Sequence, residues 1–432
     1  NVIDQRVLNG DHGCYLLPVQ PTTGYAESAL TEPWACVIAA YGLTYRTRLK
    51  PGGTTWIIGE GATGEQTYTI SRGFDDVSHP DRLLLTDVPA DFSSWLKQRA
   101  EQLGVEALEV DDITSPPVTE VDDIVLLGAD PDIIETVSPG LADFGVLAVI
   151  SDRPPERQVA MDVGRVHYNR RIYIGGAGPD IARAYSDIPV RSRLKAGGRA
   201  LFIGAGGPIG RMHVQRAIQI SDGPAIIICT DISGPRLADL YETMAAEAES
   251  KGINFICLNP TDREGYESGM APFREPGFDD IVVLAPDLSV IADALTRLAP
   301  EGVMNVFAGV ARGTMVPVDL SDIYLKGTRI IGHSASTIED LRTMLDQAES
   351  GELSPNRSVA AIGSLEAAWD GLQAVQDALL PGKVVIYPQI REMPLTPLRD
   401  LEEKLPGVHA RLNDGREWTV EAEEEFLQLM LP

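Results

Sequence analysis

The chain has 432 residues, 44% of them hydrophobic and 6% aromatic, and a net charge of −27. That length supplies core for two or three domains. The acidity argues against nucleic acid or an anionic membrane as partner, and an anionic cofactor would need local N–H groups and a few cations to hold it against the overall field.

Cys14, Cys36, Cys229 and Cys257 are scattered, with no C-x-x-C spacing. Neither a zinc ribbon nor a disulfide framework is indicated, which fits a reducing cytoplasm. No stretch reads as a signal peptide or membrane span. The chain opens on Asn1 in mid-pattern, and the reading expects the natural N-terminus upstream.

Residues 1–30 read as short strand-like pieces with turns at Asn9-Gly10 and Pro21. Ala29 to Tyr45 follows as a helix, with Glu32-Pro33 in its first turn, where both residue types are favoured. Arg46-Thr-Arg-Leu-Lys-Pro-Gly-Gly53 is a turn feeding the first strand.

Thr54 to Asp87 then reads as an apolar run, a glycine turn, a helix-like segment, a second apolar run and a carboxylate. Ala200 to Asp231 repeats that plan. Gly59, Gly61 and Gly64 mark the first turn; Gly204, Gly206 and Gly210, with the extra Gly207, mark the second. This is the layout of a dinucleotide-binding βαβ unit. One glycine allows the sharp turn, and another lets backbone N–H groups approach a pyrophosphate without a Cβ between them. The helix N-terminus faces the negative charge. The closing acid, Asp87 or Asp231, suits a ribose 2′-OH and repels a 2′-phosphate.

The match between the copies continues. Arg191-Ser-Arg-Leu-Lys-Ala-Gly-Gly198 repeats the turn at 46, Phe278-Asp-Asp-Ile-Val-Val-Leu repeats Val121-Asp-Asp-Ile-Val-Leu-Leu, and Val316-Pro-Val-Asp repeats Val159-Ala-Met-Asp. Matched landmarks in the same order predict internal duplication at domain size. Strand–helix alternation predicts an α/β fold of two tandem doubly wound parallel-sheet domains. The second should have strands near 199–203, 225–230, 253–257, 280–284, 303–307 and 328–332. After residue 345 come an amphipathic helix from Leu365 to Leu380, a strand at Gly382–Pro388, and an acidic helical tail read as a packing or subunit-contact element.

These residues resemble the medium-chain dehydrogenase/reductase superfamily, and within it the sorbitol dehydrogenase and L-sorbose 1-phosphate reductase branch. The likeness rests on Tyr25-Ala-Glu-Ser-Ala-Leu-Thr-Glu-Pro-Trp-Ala-Cys36, Gly204-Ala-Gly-Gly-Pro-Ile-Gly-Arg-Met-His213, Asn305-Val-Phe-Ala-Gly309, Ser350-Gly-Glu-Leu-Ser-Pro355 and Pro381-Gly-Lys-Val-Val-Ile386. It implies a Rossmann domain set between two stretches of a GroES-like catalytic domain. The domains expected are then 1–45, the end of the GroES-like part with a linker helix; 46–190 and 191–345, two Rossmann domains; and 346–432, the return segment and tail. The family implies zinc-assisted hydride transfer between NAD, with NADP not excluded, and a small polyol, sugar or sugar phosphate, in a cytoplasmic homo-oligomer. Glu32 matches a family carboxylate beside or on the catalytic zinc. The family's upstream cysteine and Gly-His-Glu ligands are absent, and His12 and Cys14 read as loop residues, so zinc is expected only with an upstream segment.

The second copy is expected to bind the cofactor through Gly204, Gly206, Gly207, Pro208, Ile209, Gly210 and Asp231. Arg236 would cover the adenosine side, and Asn305 and Gly309 would lie near the nicotinamide. The first copy, with Gly59, Gly61, Gly64 and Asp87, carries Glu60 where phosphate would sit and reads as weakened or repurposed. The alternative is a non-catalytic dinucleotide sensor or scaffold.

Overall fold

The computed structural model describes residues 3–11, 13–59, 62, 66–186 and 190–431. Its strands are β1 (Thr54–Ile58), β2 (Arg82–Thr86), β3 (Glu106–Glu109), β4 (Val121–Leu126), β5 (Leu141–Ile150), β6 (Val159–Asp162) and β7 (Ile172–Gly176). They continue as β8 (Arg199–Ile203), β9 (Ile226–Thr230), β10 (Asn254–Leu258), β11 (Phe278–Val283), β12 (Leu298–Val306), β13 (Met315–Val318) and β14 (Arg329–Gly332), then β15 (Val359–Ser364), β16 (Lys383–Tyr387) and β17 (Thr396–Pro397). The six strands expected between 199 and 332 are all present, β12 beginning earlier than its apolar run suggested. The fold is α/β with a mostly parallel sheet.

The chain forms two compact units. One comprises Gly42–Leu201 and Ser268–Ser334. Its sheet runs in the order β11-β12-β14-β7-β5-β4-β1-β2-β3. Neighbours are parallel except β14 and β7, which meet antiparallel at Ile330 and Tyr173. Parallel strands covered on both faces need apolar side chains on both, and Trp56, Ile57 and Ile58 of β1 and Leu83, Leu84 and Leu85 of β2 are all buried.

A second antiparallel pair, β6 with β13, sets Val159 opposite Val318 and Met161 opposite Val316. Val316 lies 157 residues after Val159, and Val318 lies the same distance after Met161. Each strand therefore meets its own counterpart with partners exchanged, as at a two-fold axis. The β7–β14 contact obeys the same rule, since Ile330 is 157 residues after Tyr173.

The two Arg-x-Arg-Leu-Lys turns do the same work in this unit. The Arg46 guanidinium pairs with Asp123 and donates to the Asp122 carbonyl at 2.8 Å, while the Lys50 N–H donates to Asp123 Oδ2 at 2.8 Å. Arg191 pairs with Asp280 and donates to the Asp279 carbonyl at 2.5 Å, and the Lys195 N–H donates to Asp280 Oδ2 at 2.8 Å. Each clasp ties the entry of a glycine-turn strand to the strand beside it. A buried carboxylate needs such a partner, and burial pushes Asp123 and Asp280 upward against the attraction of their arginines. Among the described residues Asp123 alone of the two gains a further donor, the Tyr185 hydroxyl at 2.6 Å.

The other unit comprises Asn1–Tyr41, Phe202–Glu267 and Ala335–Pro432. It holds the parallel pair β9 and β10 and the small sheet β16-β15-β17. Two expectations fail here. The first thirty residues form no strands among those described; Gln5–Leu8 is a short helix capped by Asp4, followed by a lone Gly10–Gly13 bridge. Val7 and Leu16 remain exposed, so the apolar alternation has no sheet face to bury it. The next helix runs Tyr25–Ala39, with Pro33 well inside it rather than in its first turn. The early start has a tertiary cause: Glu423, only 3% exposed, accepts the N–H groups of Tyr25 at 2.5 Å and Ala26 at 2.8 Å. These are N–H groups a helix cannot satisfy itself. The Tyr387 hydroxyl donates to the same carboxylate at 2.6 Å. The acidic tail is thus a packing element within this unit.

Candidate dinucleotide site

The second glycine turn follows β8. Gly204 turns the chain at φ +83°, in the region that favours glycine. The N–H groups of Gly204 and Ala205 both donate to the Thr230 carbonyl, at 2.8 and 3.0 Å, fixing the turn to the end of β9. Gly207 then caps the helix Pro208–Gln219, with Pro208 at its first position. Proline there forfeits an N–H that has no acceptor anyway. The remaining first-turn donors, including those of Ile209 and Gly210, have no intrahelical acceptor, and Gly207 has no side chain to supply one.

Two of the glycines are sterically required. A Cβ on Gly210 would lie 2.3 Å from the Gly204 carbonyl oxygen and 2.7 Å from Ala205 Cα. One on Gly206 would lie 2.9 Å from Arg236 Cβ and 3.0 Å from the Asp231 carboxyl carbon. Asp231 holds the turn from the next strand end: its Oδ2 accepts the Gly206 N–H at 3.0 Å and its Oδ1 the Ser233 N–H at 2.9 Å. Arg236 donates to the Leu380 carbonyl at 3.2 Å, while its buried Nε has no hydrogen-bond partner. A side-chain-free cradle, unused helix donors, an anchored acid and an unpaired guanidinium N–H fit a phosphate-bearing dinucleotide.

Asn305 and Gly309 belong to the other unit. Asn305 lies in β12 between Val282 and Ile331. It is 4% exposed, and its Oδ1 has no hydrogen-bond partner, a polar atom left open in a buried place. A Cβ on Gly309 would meet the Tyr168 hydroxyl at 3.4 Å. Nearby, His167 Nδ1 is 3.2 Å from the Val306 carbonyl, and burial holds its pKa below the usual histidine range.

What flanks the first turn is built differently. Gly59 is as constrained as Gly210, since a Cβ there would lie 2.3 Å from the Asp87 carbonyl oxygen. Gly61 and Gly64, and Glu60 between the described positions, lie outside the described residues. Among the described residues the expected helix after this turn is not found: residues 66–81 carry only bends and one bridge, Thr69 to Asp180. That segment, Gln-Thr-Tyr-Thr-Ile-Ser-Arg-Gly-Phe-Asp-Asp-Val-Ser-His-Pro from residue 66, is rich in β-branched residues, glycine and turn formers, all weak in helices. Asp180 and Asp75 take up its backbone N–H groups instead. Asp87 is exposed with φ +47°, whereas Asp231 is half-buried and bonded to its turn.

Glu32 is exposed in the middle of the Tyr25–Ala39 helix. Cys36, one turn on, donates to Glu32 Oε1 at 3.3 Å. Burial, with the Glu32 hydrogen bond adding to it, pushes the Cys36 thiol up to about 11. Among the described residues no three His, Cys, Asp or Glu side chains are grouped to hold a metal. These residues do not fit the expected zinc, and nothing below is routed through it.

Sequence reasoning missed Glu423, Asp123 and Asp280. The paired Asp-Asp before each apolar run was visible as a repeat, but its partner arginine lies far away in sequence. Nothing local marks Glu423 among the acids of the tail.

No protein-family model matches the chain. Among curated proteins it is 30% identical over 220 residues to the uncharacterized protein YggP of Escherichia coli K12, covering 50% of this chain and 51% of that one. It is 28% identical over 206 residues to mannitol-1-phosphate 5-dehydrogenase of Aliivibrio fischeri, covering 47% and 48%. It is 26% identical over 236 residues to L-sorbose 1-phosphate reductase of Klebsiella pneumoniae, covering 54% and 56%. The chain spans about half the length of these relatives. Over that half it is similar to a mannitol-1-phosphate 5-dehydrogenase and an L-sorbose 1-phosphate reductase, in line with the resemblance read from its sequence.

Proposed function

We propose that this chain is an oxidoreductase of the medium-chain type, passing a hydride between a nicotinamide dinucleotide and a polyol, sugar or sugar phosphate. The observation that carries the reading is the 204–210 turn held by Asp231, in a chain whose named relatives are a sugar-phosphate dehydrogenase and reductase. When bound, the nicotinamide would supply the hydride chemistry. The protein's own contribution is to hold and orient. Free N–H groups after Gly207 would take the pyrophosphate, and Arg236 Nε would face anionic or ribose oxygens. Asp231, keeping its bond to Gly206, would accept from a ribose 2′-OH and disfavour a 2′-phosphate, so NAD is preferred over NADP.

The matched clasps and exchanged strand pairs support a tandem duplication, with domains at 46–190 and 191–345. In this reading the first copy, with Gly59, Gly61, Gly64 and Asp87, has given up dinucleotide binding. Zinc and a homo-oligomeric state are carried from the resemblance alone, and a cytoplasmic setting from the scattered cysteines; among the described residues no helix is long and apolar enough to cross a membrane.

A second reading is a dinucleotide-binding sensor or scaffold without turnover. It needs only the 204–210 turn held by Asp231, with no metal donors. The test is NADH titration by fluorescence, followed by NADH oxidation with ketose and hexitol phosphates. Gly206→Asp or Asp231→Ala should weaken NADH at least about tenfold. Unchanged affinity in both variants sinks the binding site. Binding without oxidation of NADH by any sugar phosphate selects the sensor reading.

A further inference from the structure

The helix Ala368–Gln376, with the short turn Leu365–Ala367 before it, packs on β15 and β16 with its small residues inward. Ala367, Gly371 and Ala374 are buried, and a Cβ on Gly371 would lie 3.2 Å from Val384 Cγ1. The large apolar side chains are on the outside. Leu365, Trp369, Leu372, Val375 and Leu379 are each more than half exposed, Trp369 at 67% and Leu379 at 70%. Trp369, Leu372 and Val375 share one helix face at about 100° per residue, Leu365 leads into that face, and Leu379 follows beyond Ala378, whose φ is +56°. Asp370 on the helix and Asp377 at its C-cap, both exposed, give this face an acidic flank, while Glu366 before the helix pairs with Arg391 at 3.1 Å. Single exposed leucines are ordinary. Five such side chains between Leu365 and Leu379, each more than half exposed, make an apolar patch of the kind that marks an interaction surface.

We infer that this face docks a protein segment of complementary build: apolar residues at helical spacing with lysine or arginine along one side. Charge decides between occupants. An antiparallel two-fold pairing with a second copy would lay acidic flank on acidic flank, in a chain already at −27, and like charges across an interface repel. A basic flank meets the same face with attraction. The surface is independent of the dinucleotide reading and stands or falls separately from it.

The experiment uses the 432-residue chain and a labelled amphipathic peptide with a leucine stripe flanked by lysines, followed by fluorescence anisotropy. Its isomer with glutamate for lysine is the charge control, and should bind at least about tenfold more weakly. The uncharged double variant Trp369→Ser with Leu372→Ser should lose at least about tenfold. Asp370→Asn with Asp377→Asn should lose about threefold at low salt, and less at high salt. Circular dichroism and thermal melting of the variants should match wild type, because the altered side chains are exposed. Peptide binding unaffected by the serine variant would reduce the attraction to overall charge and overturn the proposal. A concentration-dependent dimer in sedimentation, dissolved by the serine variant, would make a second copy the occupant and overturn it equally.

Discussion

The two glycine turns begin alike, the Gly59 N–H donating to the Thr86 carbonyl and the Gly204 N–H to the Thr230 carbonyl, each at 2.8 Å, and what surrounds them differs. Gly59 and Gly210 are both pressed against backbone so closely that neither tolerates a Cβ. After the second turn a helix starts at Pro208, and Asp231 binds back to Gly206. After the first, residues 66–81 run as bends tied down by Asp75 and Asp180, and Asp87 is exposed. What the two copies keep in common is the Arg–Asp clasp below the turn. What separates them lies above it, where a ligand would bind. A steric requirement for glycine is therefore evidence for a turn, and only the helix and the anchored acid make it a phosphate cradle.

The largest effects should come from the shared clasp. Removing one partner of a buried ion pair strands the other, at about 3–5 kcal/mol. Asp123→Ala and Asp280→Ala should both fall in that range in denaturant unfolding, Asp123→Ala at the upper end because it also strands Tyr185. A larger loss for Asp280→Ala would break the comparison. Next, Gly210→Ala should weaken NADH binding at least about tenfold, or about 1.4 kcal/mol, whereas Asp87→Ala should leave titration curves unchanged. Equal losses from both would mean that the first copy also binds.

Smaller effects sharpen the contrast. Tyr185→Phe removes a hydroxyl that only the first clasp has, and should cost about 1–2 kcal/mol of stability. The smallest effect concerns Asp279, in the second clasp. Burial, the largest single influence, pushes its pKa up, but the Lys195 ammonium at 2.5 Å and the Arg199 N–H at 2.9 Å together hold it below the usual aspartate range. A lowered carboxylate pKa gives stability that is full above the unfolded value near 4 and is lost as pH falls through the folded value. Asp279→Asn should flatten the acid side of the stability profile below about pH 4, by less than about 1 kcal/mol for so exposed a partner. An unchanged acid limb would show that Lys195 contributes nothing.

The strands of both copies were legible because fully buried parallel strands need unbroken apolar runs, as in Ile226–Thr230 and Leu83–Leu85. Gly204, Gly206 and Gly210 were legible because no other residue fits their turn. The helix expected after Gly59 was misread because the glycine pattern outweighed the poor helix propensity of the residues behind it. The start of the Tyr25 helix was misread because its cap, Glu423, lies 398 residues away.

The sequence alone determined the strand order of business in each copy, the glycine positions and the closing acids, since these follow from local periodicity and from sterics within a few residues. Only the tertiary structure decided which turn opens a helix, which acid is anchored, and which arginine neutralises Asp123 and Asp280. Those depend on groups brought together by packing, and a buried charge or an unsatisfied N–H takes its partner from whichever segment the fold sets beside it.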